Sequence, residues 1–172
     1  MKTAHEAISF LISIGASDRL ISHARLVGEA GEQLLKVLSD LDVEVDRNFV
    51  LTGIALHDVG KVRHPEELEQ SGSRHEAAEE ALLLESGISP DLARCCRSHA
   101  QFDEMDVSFQ ELLIALSDKL WKGKRVPELE LRVIDNVALR LAADRWDVFS
   151  DLDAGFEEIA AKGDERLSRS LT

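Results

Sequence analysis

Apolar residues recur along this chain at intervals of three and four, and no stretch of any length alternates apolar with polar. That period places one side of a helix against a core and leaves no pattern for a half-buried strand. Leu20, Ile21, Ala24, Val27, Leu34, Leu35 and Leu38 form the clearest such stripe. Punctuation fits the same reading. Asp18 and Asp46 stand where helix caps belong, Ser73/Glu76 and Ser108/Glu111 have capping-box spacing, and Ser89-Pro90 places Pro at a first helical position. Gly15, Gly60 and Gly87 fall at expected helix ends. The spacing predicts helices over 3–14, 18–38, 46–60, 74–86, 90–99, 108–121, 127–146 and 153–168, with a loop over 61–72 and a polar loop over 100–107. The expected fold class is all-α, one bundle of seven to eight helices. At 172 residues the chain has room for one domain, 1–172, and too little for two ordinary ones.

Charge limits the partners. Twenty Lys and Arg against 33 Asp and Glu leave a formal net charge of −13. Such a surface repels phosphate backbones and anionic lipid, so neither a stable nucleic-acid partner nor a membrane is expected. Cys95 and Cys96 are neighbours, which excludes a CxxC knuckle and strains any bridge between them. They read as reduced thiols on a helix, one of them buried, and the expected compartment is cytoplasmic. The apolar run Ala7–Ile14, with Glu6 at its start and Asp18 and Arg19 soon after, lacks the basic beginning of a leader and reads as an amphipathic first helix. Trp121, Trp146 and Phe149 read as core rather than as a dimer contact.

Chemistry concentrates in the histidines. His23, His57, His75 and His99 fall on different predicted helices or their ends. Asp58 follows His57 directly, and Asp118 follows the apolar stretch Leu112–Leu116. Buried Asp is rare unless paired or bound to metal, and bundles build metal sites from inward side chains on facing helices. Imidazole with carboxylate suits Mn, Fe, Co, Ni or Zn better than Mg. Lys119, Lys122, Lys124 and Arg125 lie within seven residues holding no acid. A basic cluster beside a metal-ligand position can orient phosphate. Lys124 reads as the solvated end of a helix, and His5 as structural or exposed.

The segment Ala55-Leu56-His57-Asp58-Val59-Gly60-Lys61 resembles the signature of the HD-domain superfamily of metal-dependent phosphohydrolases. Ser22-His23-Ala24-Arg25-Leu26-Val27 resembles that family's first-histidine helix, and Asp118 in a Ser-Asp-Lys setting its last ligand. The likeness spans about 20–125, with C-terminal helices over about 127–168. It implies one divalent ion held by His23, His57, Asp58 and Asp118, and a second that adds His75 and His99, with Asp58 bridging. It implies catalytic roles for Asp58 and Lys61, and a substrate-binding set of Lys61, His64, Lys119, Lys122 and Arg125. The implied substrate is a small nucleotide or other phosphate ester. With no Tyr in the chain, the Gly-Tyr-Pro motif of the subgroup acting on cyclic di-GMP is missing. The standalone format is similar to small bacterial HD hydrolases, including those that cut dinucleoside tetraphosphates symmetrically. Two other functions share the ligand set. One is a di-iron oxygenase resembling inositol oxygenase, and the other is a non-catalytic nucleotide-binding HD module. The acidic loop Gln101–Asp106, just after His99, is expected to shape access to the site.

Overall fold

The computed structural model of the chain describes residues 1–62 and 76–171. Among these residues there is no strand, and eight helices have eight residues or more. In chain order come α1 (Ala4–Ser13), α2 (Asp18–Asp40), α3 (Arg47–Leu56), a 3₁₀ turn (Val59–Val62) and α4 (Glu76–Glu85). Two short pieces follow, α5 (Pro90–Ala93) and α6 (Cys95–Ser98). Then come α7 (Phe109–Leu120), α8 (Pro127–Arg140), α9 (Arg145–Ala161) and α10 (Gly163–Ser170). The expected all-α bundle is what forms. Ser73 and its expected capping box lie outside the described residues, as do His64 and His75.

Local chemistry explains most boundaries. The Asp46 carboxylate accepts from Phe49 N at 2.9 Å and starts α3. Ser108 and Glu111 satisfy one another's backbone N–H groups, at 3.3 and 2.8 Å, and start α7. For α2 the cap is Ser17, not Asp18: its hydroxyl accepts from Leu20 N. The late helices break earlier than their apolar spacing implies. α8 stops at Arg140, Ala142 takes φ of +50°, and Asp144 N donates to the Asp147 carboxylate at 3.0 Å to open α9. No Gly or Pro marks that break, so the Asp-x-x-Asp spacing was its only signal.

The interior divides into two apolar clusters. The larger joins α2, α7, α8 and α9 through Leu34, Leu38, Leu113, Val133 and Phe156. The smaller lies under α1, α3, α4 and the α5–α6 pair, around Leu11, Leu56, Leu83 and Cys96. Three helices contribute to both. On α2, Ile21 and Ala24 face the smaller cluster, and Leu26 and Val27 the larger. On α3 the division falls between Ile54 and Ala55, and at α6 between Cys95 and Cys96. Each is therefore clamped on two sides, and each carries one of the expected ligand histidines, His23, His57 or His99. Fully burying side chains such as Ile54 and Leu56 stabilises the fold by roughly 1.5–3 kcal/mol each. Both thiols are buried, where one was expected, because α6 lies between the two clusters. Trp121 is core as expected, but Trp146 is 72% exposed and rests on Phe149 at the start of α9. The loop after His99 is tied to the bundle by Phe102, whose ring is buried and whose carbonyl accepts from Arg132.

Candidate metal centre

The site is built where α3 ends. His57 terminates the helix and Asp58 follows, before the backbone tightens into the 3₁₀ turn with Lys61 N donating to Asp58 O at 3.0 Å. Gly60 lets the Glu79 side chain from α4 lie close against this turn, since a Cβ there would overlap it and make it shift. Glu79 was not singled out from the sequence, and only tertiary contact places its carboxylate against this turn. His23 projects from the second turn of α2, Asp118 from the last turn of α7, and His99 from the end of α6.

His57, Asp58, His99 and Asp118 are buried, and the His23 side chain is 12% exposed. Asp58 Oδ2 is the point of convergence. His23 Nε2 lies 3.0 Å from it, His57 Nε2 3.5 Å and Lys61 Nζ 2.6 Å. Asp58 Oδ1 faces His99 Nε2 at 3.8 Å, and Asp118 Oδ1 faces His57 Nε2 at 3.5 Å. The imidazoles crowd together, with the His57 ring centroid 5.4 Å from that of His23 and 4.8 Å from that of His99. Trp121, three residues after Asp118, sets its indole edge-on to His23 at 4.8 Å. That i, i+3 spacing was the available sign of its place beside the site.

The tautomers follow from the backbone. His57 Nδ1 contacts Ile54 O at 2.6 Å and His99 Nδ1 contacts Cys95 O at 3.0 Å. A carbonyl only accepts, so both Nδ1 atoms carry hydrogen and both Nε2 lone pairs point into the site. This is the arrangement that orients imidazole toward a metal. Nε2 of His23 and of His57 is buried without a well-formed hydrogen bond to any group. Such orphaned polar atoms are costly unless something else satisfies them. Ligand atoms of His23, His57 and Asp58 all lie within 4.8 Å of one another. Neutral imidazoles and carboxylates with open lone pairs, converging in a buried site, fit a divalent ion.

Electrostatics favour ionised carboxylates at Asp58 and Asp118 and neutral rings at His23 and His99. Burial opposes ionising Asp58, but His57, His23 and Lys61 more than offset it and hold the carboxyl well below its ordinary range. For Asp118, burial is likewise overcome by His57, Lys119 and Lys122. Burial lowers His23 despite Asp58 beside it. For His99, burial and the neighbouring His57 lower the value to about 4. His57 moves the other way: burial would lower it, but Asp58 and Asp118 together raise it.

The structure brings His23, His57, Asp58, His99 and Asp118 into one site. His75 and His64 lie outside the described residues. Lys119 Nζ donates to Asp118 Oδ2 at 2.8 Å, and Lys122 Nζ lies 4.0 Å from the same oxygen. Arg125, expected to bind substrate, does not join them. Its guanidinium donates to Glu130, Asp153 and Glu157 at 2.6–2.9 Å, because the chain turns at Gly123 and carries it onto α8 and α9. Lys124 and His5 are exposed. A cavity of about 560 Å³ near Asp46, Arg94 and Glu111 lies toward the opposite end of α7 and contains none of the ligand residues.

No helix among the described residues is long and apolar enough to cross a membrane. Searches of curated proteins and of solved structures gave no significant match. The sequence profile of the family described as HD domain matches residues 20–138, which takes in α2 through most of α8 and every site residue above. With its His-Asp doublet at the centre of a helical ligand cluster, the chain belongs to the HD-domain superfamily of metal-dependent phosphohydrolases.

Proposed function

We propose that the protein hydrolyses a small phosphorylated substrate, a nucleotide or other phosphate ester, with a divalent transition metal bound at His23, His57, Asp58 and Asp118. The observation that carries the reading is the convergence of three ligand side chains on one buried point, rimmed by Lys61, Lys119 and Lys122. The bound ion supplies Lewis acidity toward phosphoryl oxygen and lowers the pKa of water toward neutrality. The chain's own residues do the rest. Ile54 O and Cys95 O orient His57 and His99 through their Nδ1 atoms. Asp58, expected to bridge if two ions bind, offers oxygens to both His23 and His99. His75 completes the second set in this reading. Lys61, Lys119 and Lys122 hold non-bridging phosphoryl oxygens and stabilise the charge that develops on them.

Those lysines also favour phosphate over the uncharged polyol of an inositol-oxygenase-like reaction. The test is metal analysis of protein purified without chelator, followed by phosphate release across a panel of nucleotides and phosphate esters. The doubly substituted His57→Ala, Asp58→Ala protein should hold no metal and release no phosphate. Full turnover by a verified metal-free variant would refute the proposal.

A further inference from the structure

Three ammonium groups occupy the carboxylates that a metal needs. Lys61 Nζ is on Asp58 Oδ2 at 2.6 Å, the same oxygen on which His23 and His57 converge. Lys119 Nζ is on Asp118 Oδ2 at 2.8 Å, with Lys122 behind it. None of the three is a surface ion pair of the ordinary kind. Their side chains are 26%, 19% and 37% exposed, against carboxylates that are 11% and 10% exposed. A divalent ion held by Asp58 would compete with Lys61 for the carboxylate and would place two positive charges beside the Lys61 ammonium. A half-buried lysine in that position needs a new anion.

We propose that Lys61 is a placeholder cation. It neutralises Asp58 while the site holds no metal, opposes the metal's arrival, and is released by it to bind a phosphoryl oxygen. Metal loading and phosphate capture are thereby coupled through one side chain. This goes beyond a phosphate-binding role and rests on the metal-dependent reading above. A residue that only props Asp58 in its ligand conformation has the opposite signature, since removing it would weaken metal binding.

The experiment titrates Mn²⁺ alone into chelator-treated full-length protein by calorimetry. Lys61→Gln should bind Mn²⁺ about tenfold more tightly than wild type, from Coulomb repulsion removed at short range. Lys61→Arg keeps the charge and should stay within about twofold of wild type. In wild type, Mn²⁺ should also raise amine-reagent labelling of Lys61 relative to exposed Lys36, a readout that does not depend on any variant folding. Unchanged or weaker Mn²⁺ binding by a folded Lys61→Gln protein overturns the inference, as does Lys61 labelling that does not respond to Mn²⁺. If wild type binds no Mn²⁺, the metal-dependent reading fails first and takes this one with it.

Discussion

Asp58→Asn is the most informative single substitution, because it keeps the side chain's shape and removes only its charge. The carboxylate accepts from Lys61 at 2.6 Å and lies 3.0 and 3.5 Å from His23 and His57. A hydrogen bond to a charged group contributes about 1.5–3 kcal/mol, but Lys61 is partly exposed, so solvent screening lowers the figure. The expected loss is about 1–2 kcal/mol, a fall in Tm of roughly 2–8 °C for a chain of this size. The larger effect concerns metal. A ligand at a hundred times its Kd stabilises a protein by about 2.7 kcal/mol. Wild type should gain that increment on adding Mn²⁺, and Asp58→Asn should gain almost none. The assay is thermal unfolding of both proteins with chelator and with Mn²⁺. An equal rise in Tm for the two would refute the assignment of Asp58 as the central ligand.

Two further outcomes follow from charged groups inside and outside the site. Burial lowers the folded-state pKa of His99 to about 4 from an ordinary 6.5. A depressed value means that the neutral ring is favoured by folding, so the stability this gives is complete above pH 6.5 and is lost as pH falls toward 4. The window carries about 3 kcal/mol. Denaturant unfolding of chelated His99→Gln at pH 7.5 and 4.5 should show a smaller difference than wild type, whereas an identical slope would count against the burial argument. His57, whose value is raised, has the opposite trend and loses its contribution above pH 6.5. Arg125→Met should destabilise the protein by about 1–2 kcal/mol by breaking its links to Glu130, Asp153 and Glu157, and should leave Mn²⁺ affinity unchanged. A fall in Mn²⁺ affinity in a folded variant would place Arg125 in the site after all.

What could be read along the chain was local. Apolar spacing and capping pairs announce helices because each depends on residues within a turn or two of one another, and the Asp46 and Ser108/Glu111 caps form as that chemistry dictates. The His57-Asp58 doublet and the spaced His23, His99 and Asp118 were legible as ligand candidates for a related reason: few core positions tolerate such side chains without a partner. Direction was not legible. Arg125 stands only seven residues after Asp118, yet one glycine turn sends it to α9 while Lys119 and Lys122 stay on Asp118. Trp146 resembles Trp121 in composition terms, but the first is 72% exposed and the second packs on His23. Arg166, which no spacing distinguished from a surface arginine, is 1% exposed and donates to Ile159 O and to Gln33. Composition and periodicity determine which stretches coil and which side chains are out of place in a core. Only the packing of α2, α3, α6 and α7 decided that His23, His57 and His99 aim at Asp58 while Asp118 faces His57, because a side chain's direction depends on neighbours far away in sequence.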